Sequence, residues 1–145
     1  MIYILDTDIL TLLGREDAPE SPRIRRRIAE LPAHDVVVTT VINFEEQMRG
    51  WMSFVSKART FREEVTAYAK LVAHVGTFRR LTILEFSDKA SVLAHTLRSQ
   101  RVRIGSMDLK ISAIALSRNA TVVTRNVVDF GQIPDLSVEN WAETD

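Results

Sequence analysis

The chain has 145 residues, of which 46% are hydrophobic, so it fits one domain with a sizeable core and is too apolar for a disordered protein. It contains no cysteine, which excludes disulfides, thiolate metal sites and cysteine nucleophiles. Lysine plus arginine equals aspartate plus glutamate at 19 each, so the net charge indicates no particular partner.

The sequence shows no targeting or membrane-spanning pattern. Its N-terminal apolar run, Ile2 to Leu5, is too short to span a bilayer, and no basic stretch precedes it. We therefore predict a cytoplasmic protein without membrane association, folded as a single domain over residues 1–145. Clusters of arginine, such as Arg23 to Arg27 and Arg98 to Arg103, are typical of solvated helix faces and are also compatible with nucleic-acid binding.

The first half of the chain alternates strand and helix patterns. The run Ile2 to Leu5 predicts a strand. Ser21-Pro22 predicts a helix that continues to about Leu31, with Ser21 as N-cap and Pro22 at the first helical position. The β-branched run DVVVTT, residues 35–40, predicts a second strand. A long helical stretch, as one helix or two, is predicted from Asn43 to about Gly76.

The second half continues the alternation. Helical periodicity predicts one helix over residues 87–100, with Ser87 as N-cap, and another over residues 106–119. Three short apolar runs predict the remaining strands: LTIL at 81–84, ATVVT at 120–124 and LSVENW at 136–141.

Short strands that are apolar on both faces and are separated by helices are typical of α/β proteins. We therefore predict a three-layer α/β/α sandwich around a mainly parallel sheet of four to five strands, joined by right-handed crossovers. Ligands of such folds bind beyond the carboxyl ends of the strands, near the point where the strand order reverses.

Acidic residues recur at that predicted edge. Asp6 follows the first strand, Glu46 lies one helical turn after the second, and Asp108 lies in the first turn of a helix. Asn126 and Asp129 follow the fourth strand. Carboxylates crowded at one edge repel one another and raise each other's pKa. A divalent cation removes this repulsion, and oxygen ligands without cysteine suit Mg²⁺ or Mn²⁺.

Helix capping offers an alternative interpretation of these residues. The capping candidates are Asn43 as N-cap with Glu46, Asn126 with Asp129, and Asp6, Asp8 and Asp108 at helix N-termini. Capping explains why each position is polar. It does not explain why all of them fall at the same edge of the sheet.

Four segments together resemble the PIN-domain ribonucleases, and within them the VapC-type toxins of toxin–antitoxin pairs. YILDTDIL is similar to the opening strand of that family, TTVINFEEQMRGW to its second motif, IGSMDLKISAIAL to its third and ATVVTRNVVDFGQIPDLSVENW to its closing segment. The catalytic glutamate of the second motif stands four residues before a glycine, which selects Glu46 rather than Glu45. The resemblance covers nearly the whole chain and implies a metal-dependent endoribonuclease with four catalytic carboxylates: Asp6, Glu46, Asp108 and Asp129.

The resemblance also implies the cofactor and the reaction. Asp6 and Asp108 would be ligands of Mg²⁺ or Mn²⁺, and a metal-activated water would hydrolyse RNA phosphodiester bonds. One position departs from the family, because Asn126 stands where many members carry an aspartate, and Asp129 is expected to take its place. Five neighbours of the acidic residues are candidates for contacts with RNA: Thr7, Arg49, Lys110, Arg125 and Asn126.

The family further implies two protein partners, a small VapB-type antitoxin and a second copy of the chain. The antitoxin tail would lie in a groove and place a basic side chain in the acidic site. Trp51, Met52, Phe54 and Phe61 are candidates for this groove or for a dimer interface. Ordinary core packing at helical spacing is the favoured interpretation for at least half of them.

Two other functions remain open from the sequence. The stretch DTD after an apolar strand also resembles the Asp-x-Asp of haloacid-dehalogenase-type phosphatases, although Ile9-Leu10 replaces the usual Gly-Thr. That phosphatase needs the carboxylate of Asp8, whereas the nuclease hypothesis predicts a mild effect of Asp8→Asn. A catalytically weak or dead PIN-fold binding module is the other alternative, favoured by Asn126 and opposed by the three intact acids.

Overall fold

The computed structural model describes residues 1–144 of the chain. The elements of this part, in chain order, are β1 (Ile2–Leu5), α1 (Thr7–Leu13), α2 (Ser21–Ala29), β2 (Val36–Thr40), α3 (Val41–Ser56), α4 (Phe61–Arg79), β3 (Thr82–Leu84), α5 (Asp88–Ser99), α6 (Ser106–Ser117), β4 (Thr121–Val123), α7 (Val127–Phe130) and β5 (Ser137–Glu139). None of these helices is both long enough and apolar enough to cross a membrane.

The five strands form one sheet in the order β3-β2-β1-β4-β5, and every neighbouring pair is parallel. The central strand is β1, in which Tyr3 lies opposite Val37 of β2 and Thr121 of β4. The strand order reverses between β1 and β4, which is where ligands of open α/β sheets bind. The predicted parallel α/β fold is confirmed, and the fifth strand is present.

Each face of the sheet is covered by its own apolar cluster. Ile4 and Val122 belong to the cluster beneath α5 and α6, in which Ile111 and Ile114 are fully buried. Tyr3, Leu5 and Val123 belong to the cluster on the other face, together with residues of α1 and α2. Alternate residues of β1 thus serve opposite faces, as the two-residue period of a strand requires. The predicted three-layer arrangement is confirmed.

The helix that follows Ser21 is present, but the prediction of its N-cap is wrong. Glu20 is the N-cap, because its carbonyl accepts the backbone N–H of Ile24 at 3.1 Å. Ser21 lies inside the first turn, where its hydroxyl accepts a hydrogen bond from Arg25 Nε at 3.3 Å. By contrast, Ser87 is the N-cap of α5 as predicted.

The long helical stretch consists of two helices, α3 and α4, and α3 begins earlier than predicted. Its N-cap is Thr40, whose hydroxyl accepts the backbone N–H of Asn43 while the Asn43 side chain accepts the backbone N–H of Thr40. The predicted capping box of Asn43 with Glu46 is therefore wrong, and the Glu46 side chain takes no part in capping α3. The sequence predicts no bounds for helix α1, because its seven residues carry too little periodicity.

Candidate active site

Asp6 lies at the carboxyl end of the central strand and at the N-cap position of α1, and it is 7% exposed. Its side chain makes no capping hydrogen bond. Instead, Thr124 Oγ1 donates to Asp6 Oδ2 at 2.9 Å and Asn43 Nδ2 donates to Asp6 Oδ1 at 3.0 Å. Burial raises the pKa of Asp6 in spite of these donors. Asp6 is thus a rigidly held carboxylate whose hydrogen-bonding side chains are neutral.

Asn43 connects Asp6 to the next carboxylate of the site. It is fully buried, and its side-chain amide donates to Thr7 Oγ1 at 3.1 Å as well as to Asp6. The Thr7 hydroxyl in turn donates to Glu46 Oε2 at 3.2 Å. The sequence pattern predicts Asn43 only as a helix cap and does not predict this role. An asparagine on the buried face of a helix, one turn before a candidate glutamate, was the available signal.

Glu46 and Asp108 complete a group of mutually repelling carboxylates. Burial and then the charge of Asp6 raise the pKa of Glu46, with a smaller contribution from Asp108. Burial, followed by the charges of Asp6, Asp129 and Asp8, raises the pKa of Asp108 to about 6. The topology therefore brings the predicted acids to one edge of the sheet, where each disfavours the ionisation of another.

Asp129 acts on this group through its charge, but its side chain is already hydrogen-bonded to Asn126. Asn126 is the N-cap of α7, and its Nδ2 donates to Asp129 Oδ2 at 2.9 Å. The backbone N–H of Asp129 donates to Asn126 Oδ1 at 3.4 Å. The capping interpretation of this pair is confirmed. That Asp129 replaces the aspartate missing at position 126 remains a prediction, supported by its charge acting on Asp108.

Asp8 is a further acid of this edge that the nuclease hypothesis did not include. Its Oδ2 accepts the backbone N–H of Arg125 at 3.0 Å and Arg125 Nε at 3.4 Å. Its Oδ1 is buried and has no hydrogen-bond partner within residues 1–144. The charge of Asp8 acts on both Asp6 and Asp108. Asp8 thus fixes the segment after β4 and adds negative charge to the site.

The candidate RNA-binding residues fall into two groups. Thr7, Arg125 and Asn126 lie in the site, through their bonds to Glu46, Asp8 and Asp129. Arg49 instead pairs with Glu45 at 2.6 Å on the exposed side of α3. Lys110 is half-buried in α6, and within residues 1–144 it makes no side-chain hydrogen bond or ion pair.

The donor set fits Mg²⁺ or Mn²⁺, which prefer carboxylate oxygens. Glu46 Oε1, like Asp8 Oδ1, is buried without a hydrogen-bond partner among the described residues, and such an oxygen calls for a ligand or water. No three His, Cys, Asp or Glu side chains of the described chain are close enough to enclose a metal by themselves. A cation bound here would therefore need waters to complete its coordination, as is usual for Mg²⁺.

A groove of about 360 Å³ leads from Glu46 along α3. Trp51 and Phe54 line its far end, with their ring centroids 5.8 Å apart. Met52 and Phe61 are not part of its wall but are 59% and 87% exposed. Core packing is thus the wrong interpretation for Met52 and Phe61, and the groove interpretation is supported for Trp51 and Phe54.

Comparison with known proteins identifies similar chains over the whole length. A sequence model of the PIN domain matches residues 3–135. "Ribonuclease VapC2" of Rickettsia felis is 31% identical over 97% of this chain and 98% of its own length. "Ribonuclease VapC1" of Haemophilus influenzae is 29% identical over 99% of this chain and 100% of its own. A crystal structure of VapBC2 from Rickettsia felis, bound to a DNA fragment from their promoter, matches with a TM-score of 0.72 at 29% identity, covering 97% of this chain and 99% of that one.

Proposed function

The chain belongs to the PIN-domain family, and we propose that it is a metal-dependent endoribonuclease that acts as the toxin of a toxin–antitoxin pair. The observation that carries this proposal is the convergence of Asp6, Glu46 and Asp108 at the carboxyl edge of the sheet, where the pKa of each is raised. The ribonuclease names of the relatives from Rickettsia felis and Haemophilus influenzae support it.

The arrangement of charges favours a cation over a closed network of ion pairs. Within residues 1–144, none of these three carboxylates forms a salt bridge with lysine, arginine or histidine. Asp6 and Asp108, with Glu46, would hold Mg²⁺ or Mn²⁺. The chemistry that such a cation supplies when bound is neutralisation of the phosphodiester charge and acidification of water.

Neighbouring side chains fix the orientation of the carboxylates. Asn43 and Thr124 hold one oxygen each of Asp6, so its orientation is fixed before any ligand binds. Thr7 holds one oxygen of Glu46 and leaves the other without a partner. Such preorganisation lowers the reorganisation needed when RNA arrives.

Basic side chains at the same edge of the sheet are the proposed contacts with RNA. The guanidinium of Arg125, held by Asp8, carries donors for a phosphodiester oxygen. Lys110 follows Asp108 by two residues in α6 and is our second candidate. We retain Arg49 as a weaker candidate, because it would first have to release Glu45.

An antitoxin is the proposed partner, since the similar structure from Rickettsia felis is a VapBC complex. We propose that its tail lies in the groove between Glu46 and Phe54, which ends at the acidic site. We also propose that the chain forms a homodimer, for which the exposed side chains of Met52 and Phe61 are candidate contacts. We also propose a cytoplasmic location, where the chain would meet its RNA substrate.

The phosphatase alternative loses its support, because the matching family is the PIN domain. Asp8→Asn provides an independent check. In the parent, Asp8 Oδ2 accepts hydrogen bonds from Arg125, and the side-chain oxygen of an asparagine can accept the same bonds. We expect the variant to keep most of its RNA cleavage, whereas a phosphatase would lose its acid–base group.

The test is cleavage of end-labelled RNA by the purified chain, freed of any co-purified antitoxin. Reactions contain Mg²⁺, Mn²⁺ or EDTA, and the variants are Asp6→Asn and Asp108→Asn. Asp88→Asn is a matched control, because it makes the same chemical change in the first turn of α5, at an exposed position outside the site.

We expect cleavage that requires a divalent cation, is lost in both site variants and persists in Asp88→Asn. A well-folded, partner-free chain that cuts no total RNA, tRNA or rRNA would contradict the proposal. RNA binding by such an inactive chain, unchanged in the two site variants, would instead support the binding-module alternative.

A further inference from the structure

A second groove, of about 620 Å³, lies between α2 and the segment that follows β5. We call it the arginine groove, because Arg23, Arg26 and Arg27 line one wall, while Asn140 and Trp141 line the other. Its volume is in the range of grooves that accept a nucleotide-sized ligand. None of these residues has a role in the site described above.

Glu139, which lines the arginine groove, lies at the same edge of the sheet as the acidic site. The backbone N–H of Thr124 donates to the carbonyl of Glu139, the last residue of β5, at 3.0 Å. The side chain of the same threonine donates to Asp6. Because β5 lies two strands from β1, and strands lie about 4.8 Å apart, the groove begins roughly 10 Å from Asp6. RNA bound at the acids reaches it within a few nucleotides.

The wall that Trp141 forms is held in place by its own contacts. Trp141 packs against Tyr3, with ring centroids 5.1 Å apart, and its Nε1 donates to Glu139 Oε2 at 2.6 Å. Arg27 lies over the Trp141 ring at 5.9 Å and 3.7 Å from Glu139. Arg27 and Glu139 thus pair with each other beside Trp141.

Two arginines remain available for a ligand. Neither Arg23 nor Arg26 forms an ion pair within residues 1–144. Glu30 and Glu143 also line the groove, but both are exposed, whereas Arg23 is half-buried. Water and salt screen the exposed carboxylates more than they screen Arg23.

We propose that the arginine groove binds the phosphate backbone of RNA next to the bond that is cleaved, an inference that rests on the proposed ribonuclease function. The planar guanidinium groups of Arg23 and Arg26 match the geometry of phosphate oxygens and bind them in bidentate fashion. The groove is thus a flanking subsite that contributes affinity for RNA without contacting the reacting atoms.

The test separates binding from cleavage. In an Asp108→Asn background, binding of a labelled oligouridylate of about 16 nucleotides is followed by fluorescence anisotropy as a function of salt. The double variant Arg23→Ala/Arg26→Ala is compared with Arg118→Ala. Arg118 is an exposed matched control, because α6 starts at the acids and carries it to the opposite edge of the sheet.

We expect the double variant to bind the RNA roughly tenfold more weakly, with a salt slope reduced by about 1.4, while Arg118→Ala binds like the parent. Arg26 is exposed, so Arg26→Glu alone tests the same groove if the double variant folds poorly. In the cleaving protein, the double variant should raise the KM for RNA and leave the cut position unchanged.

Equal affinity and salt slope for the double variant and Arg118→Ala would overturn the inference. Unchanged RNA binding together with loss of antitoxin retention would also overturn it, and would assign the groove to an acidic protein segment. Because binding is measured without cleavage, weaker RNA binding by the double variant supports the groove even if no ribonuclease activity is found.

Discussion

The replacement of Asp108 by asparagine should stabilise the metal-free protein while it abolishes cleavage. The pKa of Asp108 is about 6 in the folded chain, against an ordinary value of 3.8. Each pKa unit corresponds to about 1.4 kcal/mol, so ionising this carboxyl costs folding on the order of 3 kcal/mol above neutral pH. Its partial exposure reduces this figure, and we expect a gain of about 1–3 kcal/mol for Asp108→Asn.

The gain should depend on pH in a defined direction. The folded protein binds the Asp108 proton more tightly than the unfolded chain does between pH 3.8 and about 6, so this carboxyl lowers stability as pH rises through that window. Urea denaturation should show the full gain at about pH 8 and none below the window. Asp88→Asn should show no gain, because it loses only a favourable helix-terminus charge, worth about 0.3–1 kcal/mol.

Two results would refute this reasoning. Equal stability of Asp108→Asn and the parent at about pH 8 would mean that the carboxylates do not repel one another as the structure indicates. A gain that persists at acidic pH would mean that the stabilisation comes from packing instead of charge.

Addition of Mn²⁺ should stabilise the parent more than Asp108→Asn, since a cation that binds only the folded state raises the stability of that state.

Five further substitutions, at four positions, test packing and positioning. Asn43→Ala should cost about 2–4 kcal/mol in urea denaturation, because it leaves buried polar groups unpaired, and Asn43→Ser should recover part of the loss. Thr124→Val removes a donor to Asp6, and calorimetry should show weaker Mn²⁺ binding with the fold retained. A Cβ at Gly131 would lie 2.5 Å from a backbone oxygen, so Gly131→Ala should lower thermal stability, whereas Gly76→Ala, with nothing within 4 Å, should be neutral or stabilising.

The sheet was predictable because its signals are local. The run Ile2 to Leu5 is apolar on both faces and the run ending at Thr40 is β-branched throughout, which is typical of strands in a buried parallel sheet. Parallel strands place their carboxyl ends at one edge, so the proximity of Asp6, Glu46 and Asp108 followed from topology alone. The errors lie at helix starts, where Thr40 and Glu20 are the caps, because several polar residues in a row satisfy the same local rule.

The hydrogen bonds around Asp6 could not be predicted, since its two donors come from elements far away in sequence. Asn43 is 37 residues from Asp6 and Thr124 is 118, and neither spacing carries a pattern. These neutral donors nevertheless determine that Asp6 keeps its negative charge in the site. They fix the carboxylate without neutralising it, while Arg125, the cation bonded within the site, is engaged by Asp8. An arginine in place of Asn43 or Thr124 would satisfy the negative charge permanently, whereas the neutral donors leave that charge available for a cation that can bind and exchange.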